Sequence, residues 1–159
     1  MKKTTIVATV ITAIGLTTCT QTNSNQTNNK NNQTMETSNK QKVVALLKSI
    51  ETGDSVPVSY INPNKYIQHN LGVADGLAGF GAVLQQLPPN SAKANTVRAF
   101  QDGDFVFTHT EYNFFGPKIG FDIFRFEDGK IVEHWDNLIA VQPKNPSGRT
   151  QTDGETAIT

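Results

Sequence analysis

The sequence predicts an α+β domain in which three helices come first and an antiparallel meander of strands follows. Three observations carry this expectation. Apolar residues recur at helical spacing in the first half of the chain, over residues 41–51 and 75–87. The strong strand signals, 94–114 and 119–137, all come later. Asp102-Gly103 and Asp128-Gly129 stand between alternating runs, and Asp-Gly readily adopts the positive φ angles that tight hairpin turns require. Helices followed by hairpins give an α+β pattern and not a βαβ one.

Taken in order, Val43, Val44, Leu46, Leu47 and Ile50 lay an apolar stripe along one face of a first helix that ends near Gly53. Pro57 suits the first turn of a short second helix through Tyr60 and Ile61, broken by Asn62-Pro63-Asn64. Tyr66-Ile67-Gln68-His69-Asn70 is too short to classify by periodicity. From Asp75, a residue type favoured at N-caps, Leu77, Phe80, Val83, Leu84 and Leu87 form a third helix, stopped by Pro88-Pro89. Residues 94–100 and 104–114 make the first hairpin, with Phe105, Phe107, His109 and Glu111 on one face of its second strand.

The last hairpin, residues 119–137, is the most informative stretch. A two-residue turn at Asp128-Gly129 sets Phe126 against Ile131, Phe124 against Glu133, Asp122 against Trp135, Ile123 against His134 and Phe121 against Asp136. Alternation then places Phe121, Ile123, Arg125, Val132, His134, Asp136 and Leu138 on one face, and Asp122, Phe124, Phe126, Ile131, Glu133 and Trp135 on the other. A β-bulge near Trp135 would shift this alternation. Neither face is purely polar, so the hairpin is expected to be covered on both sides, with ionisable groups in half-buried ground.

The ends have a different character. Lys2 and Lys3 precede an apolar run over residues 6–16 that closes on Leu16-Thr17-Thr18-Cys19. The run is shorter than the about 20 residues of a membrane span and reads as a secretory signal over residues 1–19. Its last four residues resemble a bacterial lipobox, with Thr18 larger than that motif prefers. Cys19 is thereby the expected lipidation site of an exported, membrane-anchored lipoprotein, a secreted or periplasmic protein being the alternative. Residues 20–40 are rich in Asn, Gln, Thr and Ser, too polar to form a core, and are expected to be a disordered tether. One domain is expected over residues 41–142, followed by a polar tail or truncated linker over 143–159.

Composition narrows function. Fourteen basic and 14 acidic residues balance without a basic block, so nucleic acid is not an expected partner. Cys19 is the single cysteine, leaving no internal disulfide, zinc-cysteine site or cysteine nucleophile in the domain. No His-Glu-x-x-His spacing, phosphate loop or Gly-x-Ser-x-Gly elbow is present. No metal and no cofactor are expected, and covalent catalysis is disfavoured.

Three segments together resemble the SnoaL-like polyketide-cyclase branch of the nuclear-transport-factor-2-like superfamily. They are Tyr66-Ile67-Gln68-His69-Asn70 followed by Asp75-Gly76, the strand Thr108-His109-Thr110-Glu111, and the hairpin from Asp122 to Asp136. The resemblance covers about residues 40–142. It implies a cone-shaped fold, with three helices packed in the concave face of a bent antiparallel sheet around a largely apolar pocket. It also implies that an aspartate near the end of the last long strand, here Asp136, points into that pocket. The superfamily commonly pairs through its open sheet face, so a homodimer is an implied assembly.

On this reading Asp136 is the candidate general acid/base, since a partly desolvated carboxylate beside Trp135 is a stronger base than an exposed one. Pairing with a cation at the sheet rim is the plainer role. His69 and His109 are the candidates to orient or polarise a carbonyl, against a loop histidine satisfied by backbone and a merely structural His109–Glu111 pair. Glu111, His134, Trp135, Phe121, Phe107 and Tyr66 are the candidate substrate-binding residues. The expected ligand is a small hydrophobic or carbonyl-containing molecule. Two functions stand: a cofactor-independent enzyme of the cyclase, isomerase or aldol type, and a lipid-anchored module that binds such a molecule without converting it.

Overall fold

The computed structural model describes residues 36–156. The expected secretory signal, Cys19 and most of the expected tether lie outside the described residues. Helix α1 (Asn39–Thr52) starts at a capping box, in which the Ser38 hydroxyl accepts from the Gln41 N–H and the Gln41 side chain accepts from the Ser38 N–H. A 3-10 helix (Val56–Tyr60), strand β1 (Ile67–Gln68) and helix α2 (Gly76–Gln86) follow. The chain then forms β2 (Lys93–Asp102), β3 (Phe105–Asn113), β4 (Pro117–Glu127) and β5 (Lys130–Ala140).

Two α-helices, not three, precede the long strands. The segment opened by Pro57 is a single five-residue 3-10 helix, because Pro63 biases Asn62 toward extended backbone and leaves no room for a second α-helical turn. Asp75 holds the N-cap position of α2, yet its carboxylate accepts from the Gln68 N–H at 2.8 Å and ties β1 to α2 instead of capping it.

The sheet is mixed and not purely antiparallel. Its order is β1-β5-β4-β3-β2, with β2 to β5 antiparallel and β1 parallel to β5. The short parallel strand arises from Tyr66-Ile67-Gln68, which pairs Ile67 with Glu133 and Gln68 with His134. The His69 N–H then donates to the His134 carbonyl at 2.9 Å.

The last hairpin departs from the expected register. Asp128 and Gly129 both have positive φ, at 50° and 72°, and Glu127 faces Lys130 and Phe126 faces Ile131. The next rung pairs Arg125 with Glu133, so Val132 is an extra residue on β5. Beyond this bulge Phe124 lies opposite His134, Ile123 opposite Trp135, Asp122 opposite Asp136 and Phe121 opposite Asn137. The face of His134 and Asp136 therefore also carries Asp122, Phe124 and Phe126, whereas Phe121, Ile123, Arg125 and Trp135 belong to the outer face. The bulge reconciles two demands on β5, since Ile131 enters the core and His134 and Asp136, an odd number of steps away, line the interior as well.

The core lies between α1, α2 and the inner sheet face. Phe124, Phe126, Leu46, Ile61, Ile131, Val43 and Val106 are fully buried there, each contributing on the order of 1.5–3 kcal/mol relative to exposure. At Gly120 a Cβ would come within 2.5 Å of Leu138 and 2.6 Å of the Tyr112 ring. The bare backbone is what lets both side chains cross β4. After β5, residues 141–156 fold back on the outer face, where the Arg98 guanidinium donates to the Thr152, Asp153 and Glu155 carbonyls and the Thr152 hydroxyl to Glu111.

Gly120→Ala is expected to destabilise the domain by about 1–3 kcal/mol through overpacking, read as a lower urea midpoint with an unchanged slope. A second expectation concerns Glu51, whose carboxyl is held down at about 2 by the Lys48 ammonium first and the Ala94 N–H next. This contribution is fully present above the ordinary value of 4.5 and is lost as pH falls through about 2. Glu51→Gln should lower the unfolding temperature at pH 6, with the difference from the parent shrinking as the acid limit is approached.

Candidate functional site

Three elements meet at a cavity of about 270 Å³. Leu46, Leu47 and Ile50 of α1 and Phe80, Val83 and Leu84 of α2 supply apolar walls, and Tyr112, Phe124 and Leu138 rise from the sheet. The polar lining comes chiefly from alternate residues of three neighbouring strands. Tyr66, Gln68 and Asn70 point inward along the β1 segment, Asp122 comes from β4, and His134 and Asp136 come from β5.

These side chains form two hydrogen-bonded sets, one around His134 and Asp122 and one around Asp136. His134 places Nδ1 2.9 Å from Gln68 Oε1 and Nε2 3.3 Å from Asp122 Oδ1, and its ring stacks on Phe124 at 4.4 Å. Gln68 Nε2 donates to the Tyr66 hydroxyl at 3.2 Å. Asp122 Oδ2 accepts from the Tyr112 hydroxyl at 2.8 Å and the Thr108 hydroxyl at 3.0 Å. Asp136 accepts from Asn70 Nδ2 at 2.7 and 2.8 Å, and Asn70 Oδ1 in turn accepts from the Gly72 N–H.

The bonding pattern constrains the protons. With the Gln68 oxygen facing Nδ1, that nitrogen carries the hydrogen. A hydrogen bond from Nε2 to Asp122 then requires one further proton, held by the imidazole or by the carboxyl. Burial pushes both phenols up, and Asp122 adds to the effect at Tyr66 and Tyr112. Both hydroxyls therefore remain donors across the physiological range. Asp122 and Asp136 face each other on one rung, where like charges repel. Hydrogen bonds from Thr108, Tyr112 and Asn70 offset that cost.

Asp122, His134 and Asp136 also present one ligand atom each within 4.8 Å of one another. Both oxygens of each carboxylate already meet protein hydrogen-bonding groups. A cation would have to compete with those partners. The cluster reads first as an acid-base arrangement.

Of the residues singled out from sequence, Asp136, His134 and Tyr66 line the cavity. The other candidates for catalysis or substrate binding, His69, His109, Glu111, Phe107, Phe121 and Trp135, sit on the outer side of the sheet. His69 alternates away from Tyr66 and Gln68, stacks on Trp135 at 4.7 Å and meets Glu133 at 2.9 Å. Glu133 is held below the usual carboxylate range, first by His69 and then by Arg125. His109 and Glu111 follow the outward face of β3. His109 stacks on Phe121 and accepts from Arg98, and burial with the nearby guanidinium keeps its imidazole below the usual value. Phe107 belongs to the same outer stack, between Phe100 and Phe121. Sequence reasoning missed Asp122, Gln68 and Asn70. The period-two pattern of Tyr66-Ile67-Gln68-His69-Asn70 carries the signal for the latter two.

No family model matches the chain, and no curated protein sequence does. Solved structures do match it. TsrD from Streptomyces laurentii is 20% identical, with 62% of this chain and 85% of that chain covered and a TM-score of 0.51. A candidate polyketide cyclase from Bacillus cereus is 19% identical over 62% of this chain and 72% of its own, with a TM-score of 0.52. An NTF2-like protein from Cytophaga hutchinsonii is 13% identical, with 67% and 94% covered and a TM-score of 0.56. Likeness at this identity concerns the fold. The domain has the α+β architecture of the nuclear-transport-factor-2-like proteins, built around a pocket of small-molecule size.

Proposed function

We propose that the domain is a cofactor-independent acid-base enzyme of the cyclase, isomerase or aldol type, acting on a small, mostly apolar carbonyl compound. The supporting observation is the placement of Asp136. Its carboxylate lines an otherwise largely apolar cavity and takes its hydrogen bonds from Asn70 alone among the described residues. The likeness to a candidate polyketide cyclase is consistent with this reading.

In the proposed reaction Asp136 removes a proton from the carbon next to the substrate carbonyl. The C–H electron pair passes into the carbonyl to give an enolate, and Asp136 becomes the carboxylic acid. The Tyr66 hydroxyl, whose phenol burial keeps protonated, donates to the enolate oxygen. The enolate then attacks a second carbonyl of the substrate, and Asp136 returns its proton to the new alkoxide. In an isomerisation the proton goes to a different carbon instead. His134 and Asp122 act behind this centre, holding Gln68 and thereby Tyr66 in place.

Proton abstraction is readable without knowing the natural substrate. In D₂O, the full chain should catalyse exchange of the hydrogens next to the carbonyl in members of a panel of small apolar ketones and keto acids, followed by proton NMR. Asp136→Asn should lower that exchange at least about 100-fold, and Tyr66→Phe about 10- to 100-fold. Unchanged exchange in Asp136→Asn would sink the assignment. A retained ligand with no exchange above buffer would favour the non-catalytic, lipid-anchored binding module. The leader supports placement at a bacterial membrane, and loss of incorporated fatty-acid label in Cys19→Ala is the expected outcome when the chain is expressed with its signal.

A further inference from the structure

The cavity contains one feature that acid-base chemistry at Asp136 does not use. Lys118 lines it, and among the described cavity residues it is the one lysine or arginine. Its ammonium donates to the Phe114 carbonyl, and no described carboxylate lies within ion-pair distance of it. Lys48, Lys65 and Lys93, by contrast, each reach a glutamate. An ammonium has three donors, so Lys118 keeps capacity for another partner. Phe114, Phe115 and Leu87 line the same cavity, and a half-buried charge in such surroundings is costly without a counter-ion.

The strand geometry fixes where that charge stands relative to the reacting groups. Lys118, Gly120 and Asp122 alternate onto the inner face of β4, Lys118 opposite Ala140 and Asp122 opposite Asp136. Four residues of strand separate the ammonium's Cα from that of Asp122, about 13 Å. Tyr112 and Leu138 fill the interval, made possible by the bare Gly120. The cavity thus has a cation toward one end, an apolar middle and two carboxylates toward the other.

We propose that Lys118 binds the carboxylate of an amphiphilic acid, so that the substrate class is an apolar keto acid or a related organic anion, oriented with its charged end at Lys118. The two carboxylates repel the ligand's own charge from the far end and place its apolar or carbonyl-bearing portion there. Which end reacts rests on the role given to Asp136. The charge preference does not.

Octanoate and octanamide, a charged and a neutral ligand of nearly the same shape, test this by titration calorimetry on the full chain. The parent should bind octanoate at least about tenfold more tightly than octanamide, the ratio expected for one charge-assisted hydrogen bond. Lys118→Met keeps the apolar stem and should bring the two affinities within about twofold, with octanamide binding retained as the check on folding. Lys118→Arg should keep the preference. Equal affinities in the parent, an undiminished preference in Lys118→Met, or no measurable octanoate binding would each overturn the proposal. If Lys118→Met does not fold, the parent ratio and the Lys118→Arg result decide. Because this readout needs no turnover, it can fail while exchange at Asp136 stands, and the reverse.

Discussion

Val132 is the residue of β5 that the pairing with β4 passes over, and the composition of the pocket depends on it. Without the bulge, Ile131 and His134 would lie on opposite faces. The chain would then bury either its apolar turn end or its ionisable middle, but not both. With the bulge, Ile131 packs beneath the helices and the same strand presents His134 and Asp136 to the cavity. A shift of one residue also brings Asp122 across from Asp136, where the regular register would have placed Trp135. Local twist and local chemistry therefore have one cause, in keeping with the frequent placement of bulges beside functional groups.

The carboxylates on that rung would be an electrostatic liability if left alone. Each is instead held by its own donors, Asp122 by two hydroxyls from β3 and Asp136 by an amide from the segment after β1. The donors arrive on different elements, so folding of the sheet and docking of the β1 segment are both needed to complete the site. His134 bonds to Gln68 on one side and Asp122 on the other, linking the β1 segment to β4. On the outer face a separate set of polar groups, His69 with Glu133 and Arg98 with the chain after β5, meets a different need. It ties down edges and termini where the sheet would otherwise expose unpaired groups.

The order of elements and the hairpin turns were legible because their signals are local. Apolar spacing marks α1 and α2, and Asp128-Gly129 marks a turn whatever surrounds it. The short segment opened by Pro57 was harder, since five residues suit either an α-helical turn or a 3-10 one and the following Asn62-Pro63 decides. The site was legible only in part. Asp136, His134 and Tyr66 could be named from the strand pattern and the family resemblance, whereas the structure has His69, His109, Glu111, Phe107, Phe121 and Trp135 on the outer side of the sheet. Trp135 stands on the face away from Asp136 by alternation alone, and for Phe121 the cause is a single uncounted residue. For β3 and the Tyr66 segment it is that alternation separates residues into two sets without saying which set faces inward. That choice is made by long-range contacts, such as the parallel pairing of Ile67 and Gln68 with Glu133 and His134.

The brevity of β1 has a consequence for how one wall of the pocket is held. A two-residue edge strand contributes few ladder hydrogen bonds, yet the segment it anchors supplies Tyr66, Gln68 and Asn70 to the pocket. What holds the segment is mostly its side chains, Asn70 on Asp136, Gln68 on His134, His69 on Glu133 and the ring of Tyr66 in the core. Asp136 and His134 are therefore fastenings of this wall as well as lining groups, so a substitution at either acts on the wall's attachment and on the pocket's chemistry together.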